Sequence, residues 1–330
     1  MNLSHSPLHC DTIESIRTFD MFCGGGGSSY GAAKAGTEIA GGIDLWPLAT
    51  EVFTDNFPNA CVFTGRVEEF EPNEIVEKTG PIDLLLASPE CTNHSYARGA
   101  RPRVKASQDS AFQVVRYTKA MKPRWLVVEN VVQMRAWTRY PEFLQLLREE
   151  GYAVKEHVLD AADFGVPQRR RRLFIVCARE GEPPSSFPKS QEPNRPAECV
   201  LDKRGVWKRS PLDNGKRAAS TLKRASRGFS ALGQDEPFLI VYYGNDGGRG
   251  WQPLTVPLRT ITTRDRFGLC EPSEDGPTLR MLQVPELTRG MGFDERLILN
   301  RGNRQDKVKI LGNGVCPPVM RKIVKTLTSR

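Results

Sequence analysis

Arg17-Thr18-Phe19-Asp20-Met21-Phe22-Cys23-Gly24-Gly25-Gly26-Gly27 is the stretch on which the fold turns. A short apolar run ends in four consecutive glycines. Ser28 to Ala35 then has helical character, and Glu38 to Asp44 has the character of a second strand closed by an acid. Strand, glycine turn, helix and strand in that order are the opening of an α/β sheet.

The pattern continues outward. Pro81 to Ala87, Trp125 to Glu129, Tyr152 to Leu159 and Arg172 to Ala178 are apolar runs of strand length, with helices expected near 111–121 and 141–150. Strands alternating with helices predict an open α/β sheet. After Arg179 the texture changes. Residues 181–230 are rich in Pro, Ser, Gly, Lys and Arg and show little periodicity, so a boundary is expected near 185. Beyond it, 237–243 and 258–263 are expected as short strands, Arg280 to Phe293 as a helix, and Val315 to Leu327 as a last helix with Pro317 and Pro318 in its first turn. This divides the chain into 1–184, a smaller irregular unit at 185–300, and a returning segment at 301–330.

Bulk properties fit a soluble globular protein of 330 residues, 39% hydrophobic, with no apolar run approaching the roughly 18 residues of a membrane span. Met1 to Ser15 lacks a basic stretch followed by an apolar one, so no signal peptide is expected. Eight cysteines stand singly, without a CxxC pair, which gives no zinc or dithiol pattern. Seven are expected as small buried hydrophobes in a reducing cytoplasm. Charge is lopsided: residues 1–90 hold 14 acidic and 4 basic side chains, while 190–230 hold 10 basic and 4 acidic within a total of +8. An acidic half joined to a basic half points to a polyanion groove on one side; a solvated basic face is the alternative.

Five features add chemistry. The glycine turn lets a ligand approach the backbone, and Asp44 stands where an acid accepts from ribose hydroxyls. Its spacing is not GxGxxG, which favours S-adenosylmethionine over a nicotinamide; a purely structural turn is the competing reading. Ser88-Pro89-Glu90-Cys91-Thr92-Asn93-His94-Ser95 puts Cys91 just past a strand, at the carboxyl edge where open α/β sheets bind ligands. The loop at 96–110 holds Arg98, Arg101, Arg103 and Lys105 against Asp109 alone, which suits a flap on a phosphate backbone. Glu129 ends another apolar strand, which would put its carboxylate at the same edge as Cys91; an N-cap or surface acid is the competing reading. In Gln168-Arg169-Arg170-Arg171-Arg172, the pairs 170/172 and 169/171 share opposite faces of a strand, so one pair can enter a site while the other meets phosphate or solvent.

With these motifs in order, the chain resembles the DNA (cytosine-5) methyltransferases of bacterial and phage type. The resemblance rests on Phe19 to Gly27, Ser88 to Ser95, Glu129-Asn130-Val131, Gln168/Arg170/Arg172 after Phe164-Gly165-Val166-Pro167, Arg280 to Phe293, and Gly312-Asn313-Gly314-Val315. It covers nearly all of the chain except roughly 185–255. It implies an open Rossmann-like sheet of the class I S-adenosylmethionine-dependent type with a small target-recognition domain. It also implies a flipped-out cytosine attacked at carbon 6 by Cys91, with Glu129 at N3 and the exocyclic amine, and Arg170 and Arg172 completing the catalytic set with Arg172 on the O2 side. The cofactor would lie against Phe22, Gly24, Gly26, Asp44, Leu45, Pro89 and Asn313. The implied partner is double-stranded DNA, bound by a cytoplasmic monomer that either stands alone or works beside a restriction endonuclease. Two departures stand out. Glu90 and Thr92 flank Cys91 where the family has proline and glutamine, and a carboxylate there should raise the thiol's pKa. Gly65-Arg66 stand near where the family often carries an acid for the adenine. A transfer RNA methyltransferase on the same frame and a non-catalytic DNA-binding relative are the competing functions.

Overall fold

The computed structural model describes residues 15–89, 106–243 and 249–329. In chain order the larger layer contains β1 (Arg17–Met21), α1 (Gly27–Lys34), β2 (Glu38–Asp44), α2 (Pro47–Asn56), β3 (Cys61–Thr64), α3 (Pro72–Thr79), β4 (Leu84–Ala87), α4 (Ala106–Met121), β5 (Trp125–Asn130), α5 (Tyr140–Glu149), β6 (Ala153–Asp160) and β7 (Arg171–Ala178). Its seven strands run β3-β2-β1-β4-β5-β7-β6. Pairings from β3 through β5 are parallel, whereas β7 is antiparallel to both β5 and β6. Strand order reverses between β1 and β4, and the crevice beyond the strand ends at such a reversal is where open α/β sheets take ligands.

The apolar runs are continuous because both faces of this sheet are covered. Leu84 and Leu86 face one buried cluster, and Leu85 and Ala87 the other. One cover is α5, whose Tyr140, Phe143, Leu144 and Leu147 are buried at helical spacing. Glycine inside β2 makes room for rings on both faces: a Cβ on Gly41 would lie 2.9 Å from the Phe19 ring, and one on Gly42 would lie 2.8 Å from Phe53.

The second sheet follows with β8 (Ser210–Pro211), α6 (Ala219–Leu232), β9 (Phe238–Val241), β10 (Trp251–Pro253), β11 (Phe267–Glu271) and β12 (Thr278–Met281), and the chain closes with α7 (Val284–Gly290), α8 (Arg304–Asn313) and α9 (Pro317–Thr328). Its order is β10-β9-β11-β12-β8, all antiparallel. This region is more regular than its composition suggests. Leu222, Ala225, Phe229 and Leu232 form the apolar stripe of α6 and pack with Phe238 and Ile240 of β9. The opposite face of β9, Leu239 and Val241, belongs to the same buried cluster as Leu84, Val127 and Val324. The change of texture near 185 therefore marks no free linker, because the two sheets share apolar packing.

Two expected elements differ. Residues 258–263 form no strand of the second sheet; Leu258 makes a single parallel bridge to Gln168. Arg280 to Phe293 is not one helix. It begins in β12 and breaks at Gln283, which caps α7 through a reciprocal pairing with Glu286. Arg280 and Glu286 are both buried and joined by two 2.7 Å bonds, so the strand end and the helix are pinned to each other. Of the described cysteines, Cys23, Cys177, Cys270 and Cys316 are buried as expected, but Cys61 is partly exposed and Cys199 exposed. Among the described residues, no helix is long and apolar enough to cross a membrane.

Candidate active site

The turn after β1 is built from backbone conformations that side chains disfavour. Phe22, Gly24 and Gly26 all have positive φ, at 59°, 51° and 87°. Glycine accepts this freely, whereas Phe22 carries strain of the kind that concentrates at functional turns. The other two glycines serve close packing. A Cβ on Gly25 would meet Ile310 at 2.5 Å, and one on Gly27 would meet the Val315 carbonyl oxygen at 2.6 Å. Gly24 is different, since its Cβ direction is open within 4 Å. A ligand can thus approach the turn at Gly24 while Gly25 and Gly27 seat it on the C-terminal segment.

Asp44, at the end of β2, holds this turn. Its carboxylate accepts from the backbone N–H of Gly24 at 2.8 Å and of Trp46 at 2.8 Å. Burial raises the Asp44 carboxyl's pKa, and those two N–H groups with Lys309 oppose the rise. Leu45 beside it is 52% exposed, an apolar face at the sheet edge. Lys309 of α8 lies 4.0 Å from the centroid of the Trp46 ring. At the start of the same turn, Asp20 is fully buried. Its Oδ2 accepts from Ser29 Oγ at 2.6 Å, and burial lifts its pKa to about 7. After β3, the Arg66 guanidinium faces Glu68 at 3.7 Å and the Arg66 backbone N–H donates to Glu69 at 3.0 Å, so two acids do occupy the turn that follows β3.

Register brings the remaining candidates to the same edge. Met21 pairs with Ala87, and Ala87 with Val128, so the residues that follow them, Phe22, Ser88-Pro89 and Glu129, are neighbours beyond the strand ends. Asn130 Nδ2 donates to the carbonyl of buried Pro89 at 3.1 Å. That bond ties the chain two residues before Cys91 to the strand that carries Glu129. Glu129 is buried, with its Oε1 3.1 Å from Arg172 Nε. Burial raises its pKa above the ordinary glutamate value, although Arg172 and Arg170 pull the other way. Burial of this kind favours the protonated form of a carboxyl over its ionised form.

The arginine run divides by alternation as expected, but its inward pair splits again. Arg169 and Arg171 are exposed, while Gln168 and Arg170 are buried. Only Arg172 reaches Glu129. Arg170 instead donates to the carbonyls of Ile261 at 3.0 Å and of Gly312 and Gly314 at 2.9 Å each. Asn313 is exposed at the end of α8, between those two glycines. Cys91, Arg98, Arg101, Arg103, Lys105 and Glu90 lie outside the described residues. Sequence reasoning missed the Asn130–Pro89 tie, for which the Asn directly after Glu129 was the available signal. It also missed α8, which Asn303 caps by accepting from the N–H groups of Gln305 and Asp306 at 2.7 and 3.1 Å.

Known proteins resemble this chain over different shares of its length. The Type II methyltransferase M.HgiDI of Herpetosiphon aurantiacus is 31% identical over 171 residues, covering 50% of this chain and 53% of that protein. Mouse DNA (cytosine-5)-methyltransferase 1 is 28% identical over 234 residues, covering 66% of this chain and 14% of the relative. The chain thus matches about half the length of such bacterial relatives. The solved structure of a Spodoptera frugiperda DNMT2 mutant superposes with a TM-score of 0.70 at 16% identity, covering 95% of this chain and 99% of that one, a likeness of fold. The family model for C-5 cytosine-specific DNA methylases matches residues 16–329, and the chain belongs to that family.

Proposed function

We propose that this protein transfers a methyl group from S-adenosyl-L-methionine to carbon 5 of a cytosine flipped out of double-stranded DNA. The observation that carries the reading is the buried Glu129–Arg172 pair at the edge where Asn130 holds Pro89, two residues before Cys91. The cofactor turn fits the donor: Gly24 is open toward ligand, Asp44 closes β2, and Leu45 offers an apolar face to a base. When bound, the donor supplies an electrophilic sulfonium methyl.

The chain's own residues do the rest. Carbon 5 of cytosine is a poor nucleophile until the Cys91 thiolate adds to carbon 6 and turns the ring into an enamine. The electron pair pushed into the ring needs a proton at N3. Glu129 suits that task because its buried carboxyl holds a proton more tightly than an exposed one. Arg172, 3.1 Å from Glu129, orients it and supports the O2 side. Carbon 5 takes up the methyl group as the donor's sulfur leaves as a neutral thioether; a base then takes the carbon-5 proton, the bond to Cys91 breaks as the ring regains its double bond, and the N3 proton returns to Glu129. A stacked duplex hides both faces of the base, so the cytosine must be flipped out.

Within this reading, 1–184 carries chemistry and cofactor, 185–300 reads the target, and 301–330 returns to the catalytic sheet. Phe22, Gly26, Pro89 and Asn313 complete the cofactor wall, while Arg98, Arg101, Arg103 and Lys105 hold phosphates. In this reading the protein acts as a cytoplasmic monomer on double-stranded DNA, either alone or beside a restriction endonuclease. Incubation with radiolabelled S-adenosylmethionine and either duplex DNA or transfer RNA tests the reading. Label in alkali-stable 5-methylcytosine of the duplex is expected. Label confined to transfer RNA, or no label at all, contradicts it.

A further inference from the structure

We propose that Arg170 is a positioning residue that locks the target-reading sheet to the catalytic sheet, and that it does not touch the cytosine. The inference rests on the function proposed above and specifies how the two sheets of that machine are held in register. Arg170 lies two residues before Arg172 on the same face of the chain, yet the two guanidinium groups have different work. Arg172 turns to Glu129. Arg170 is buried and spreads its fork over carbonyls from separate segments: Nη1 donates to Ile261, and Nη2 donates to both Gly312 and Gly314.

The seam is wider than one side chain. Gln168, on the same buried face, accepts from the Ile261 N–H at 2.7 Å and donates to the Gly290 carbonyl at 3.0 Å. Arg169 N–H donates to Leu258 O at 2.7 Å, and Leu258 N–H to Pro167 O at 2.9 Å. So 167–170 runs beside 258–261, the segment that joins β10 to β11 of the second sheet. From the other side, Gly312 abuts the same connection so closely that a Cβ there would lie 2.3 Å from the Thr262 carbonyl carbon. Val315 in turn presses on Gly27 of the cofactor turn. Arginine suits the centre of this joint because it is a planar donor fork with a permanent charge, able to satisfy carbonyls in several directions. Lysine brings a point charge to the same place without the fork.

The consequence is a division of labour within one motif. Arg172 serves the reacting base, and Arg170 sets where the DNA-reading sheet presents that base. Duplex affinity and single-turnover transfer at saturating DNA, measured on the full chain for wild type, R170K and R172K, separate the two roles. The expected result for R170K is a duplex Kd raised tenfold or more, a saturating single-turnover rate within threefold of wild type, and cofactor Kd within threefold. R172K should do the reverse, losing rate with duplex Kd little changed. If R170K proves insoluble, Gly312→Ala disturbs the same joint from the other side and should raise duplex Kd in the same way. Two results overturn the proposal. One is a hundredfold loss of saturating rate in R170K with duplex Kd unchanged, which would mean that Arg170 touches the base. The other is a lowered Tm with both duplex Kd and rate unchanged, which would make it a merely structural residue. The affinity measurement needs no turnover, so failure of wild type to methylate DNA would count against the proposed reaction and leave this inference to be judged on binding.

Discussion

Replacing Glu129 by Gln separates what this carboxyl does for chemistry from what it costs the fold. The substitution keeps shape and volume and removes the ability to ionise. Loss of a preorganised proton donor aimed at developing charge costs roughly 2.7–4 kcal/mol of barrier, or about a hundred- to a thousand-fold in rate. Stability should respond otherwise. Burial dominates over Arg172 and Arg170 in setting the Glu129 pKa, so the ionised carboxylate is a burden on the folded state. A carboxyl whose folded pKa is raised contributes stability below its unfolded pKa, and that contribution is lost as pH rises through the folded pKa. The neutral amide escapes this loss, although Arg172 gives up its carboxylate. The net change at neutral pH should stay within about 1 kcal/mol, against the roughly 3–5 kcal/mol typical when one partner of a buried ion pair is removed. The difference between E129Q and wild type should shift in favour of the variant as pH rises. Urea unfolding from pH 5 to 8 together with single-turnover methyl transfer measures both sides. A variant that unfolds several kcal/mol more easily while keeping its rate would refute the reasoning on both counts.

Other tests reach different parts of the site. Asp44→Ala should weaken S-adenosylmethionine binding by about 1–3 kcal/mol by calorimetry, the scale of a hydrogen bond to a charged group; intact affinity there, with affinity lost in E129Q, would mean the two sites have been exchanged. Asp20→Asn should flatten the pH dependence of stability, because the wild type should lose stability as pH climbs from 3.8, the ordinary carboxyl value, to about 7, where buried Asp20 ionises; an unchanged profile in the variant would contradict this. Duplex affinity should fall with salt at about 0.9 log units per log salt for each phosphate neutralised, so roughly six contacts give a slope near −5. Replacing Arg101 and Arg103 together should reduce that slope by about 2 without altering the methylated site; a changed recognition sequence would reassign reading to the loop.

Much of the large sheet was legible in the sequence because its strands are buried on both faces and announce themselves as unbroken apolar runs. Leu84 to Ala87 and Trp125 to Val128 are of this kind, and the glycine turn between β1 and α1 is punctuated by residues that few other structures require. The second sheet was harder to read. The apolar positions of α6 sit among Lys223, Arg224 and Arg227, and β9 is only four residues long, so local periodicity is thin. The break at Gln283 depends on Arg280 meeting Glu286, a pairing no propensity records. In the site, alternation along 168–172 predicted which side chains turn inward. It could not tell Arg170 from Arg172, because the distinction lies in carbonyls 91, 142 and 144 positions away from Arg170 in the chain. Glu129 was legible as a strand-ending acid, whereas the Asn130 tie to Pro89 appears only once β4 and β5 lie side by side.

The most direct measurement of the central claim is covalent capture. A duplex carrying 5-fluorocytosine blocks the last step, since fluorine at carbon 5 cannot leave as a proton does, and the bond between Cys91 and carbon 6 then persists. The protein with S-adenosylmethionine and this duplex should give a complex that survives denaturing electrophoresis, and Cys91→Ser should give none while binding DNA and cofactor within a few-fold of wild type. No adduct with wild type, or an adduct and turnover retained in Cys91→Ser, would contradict the account.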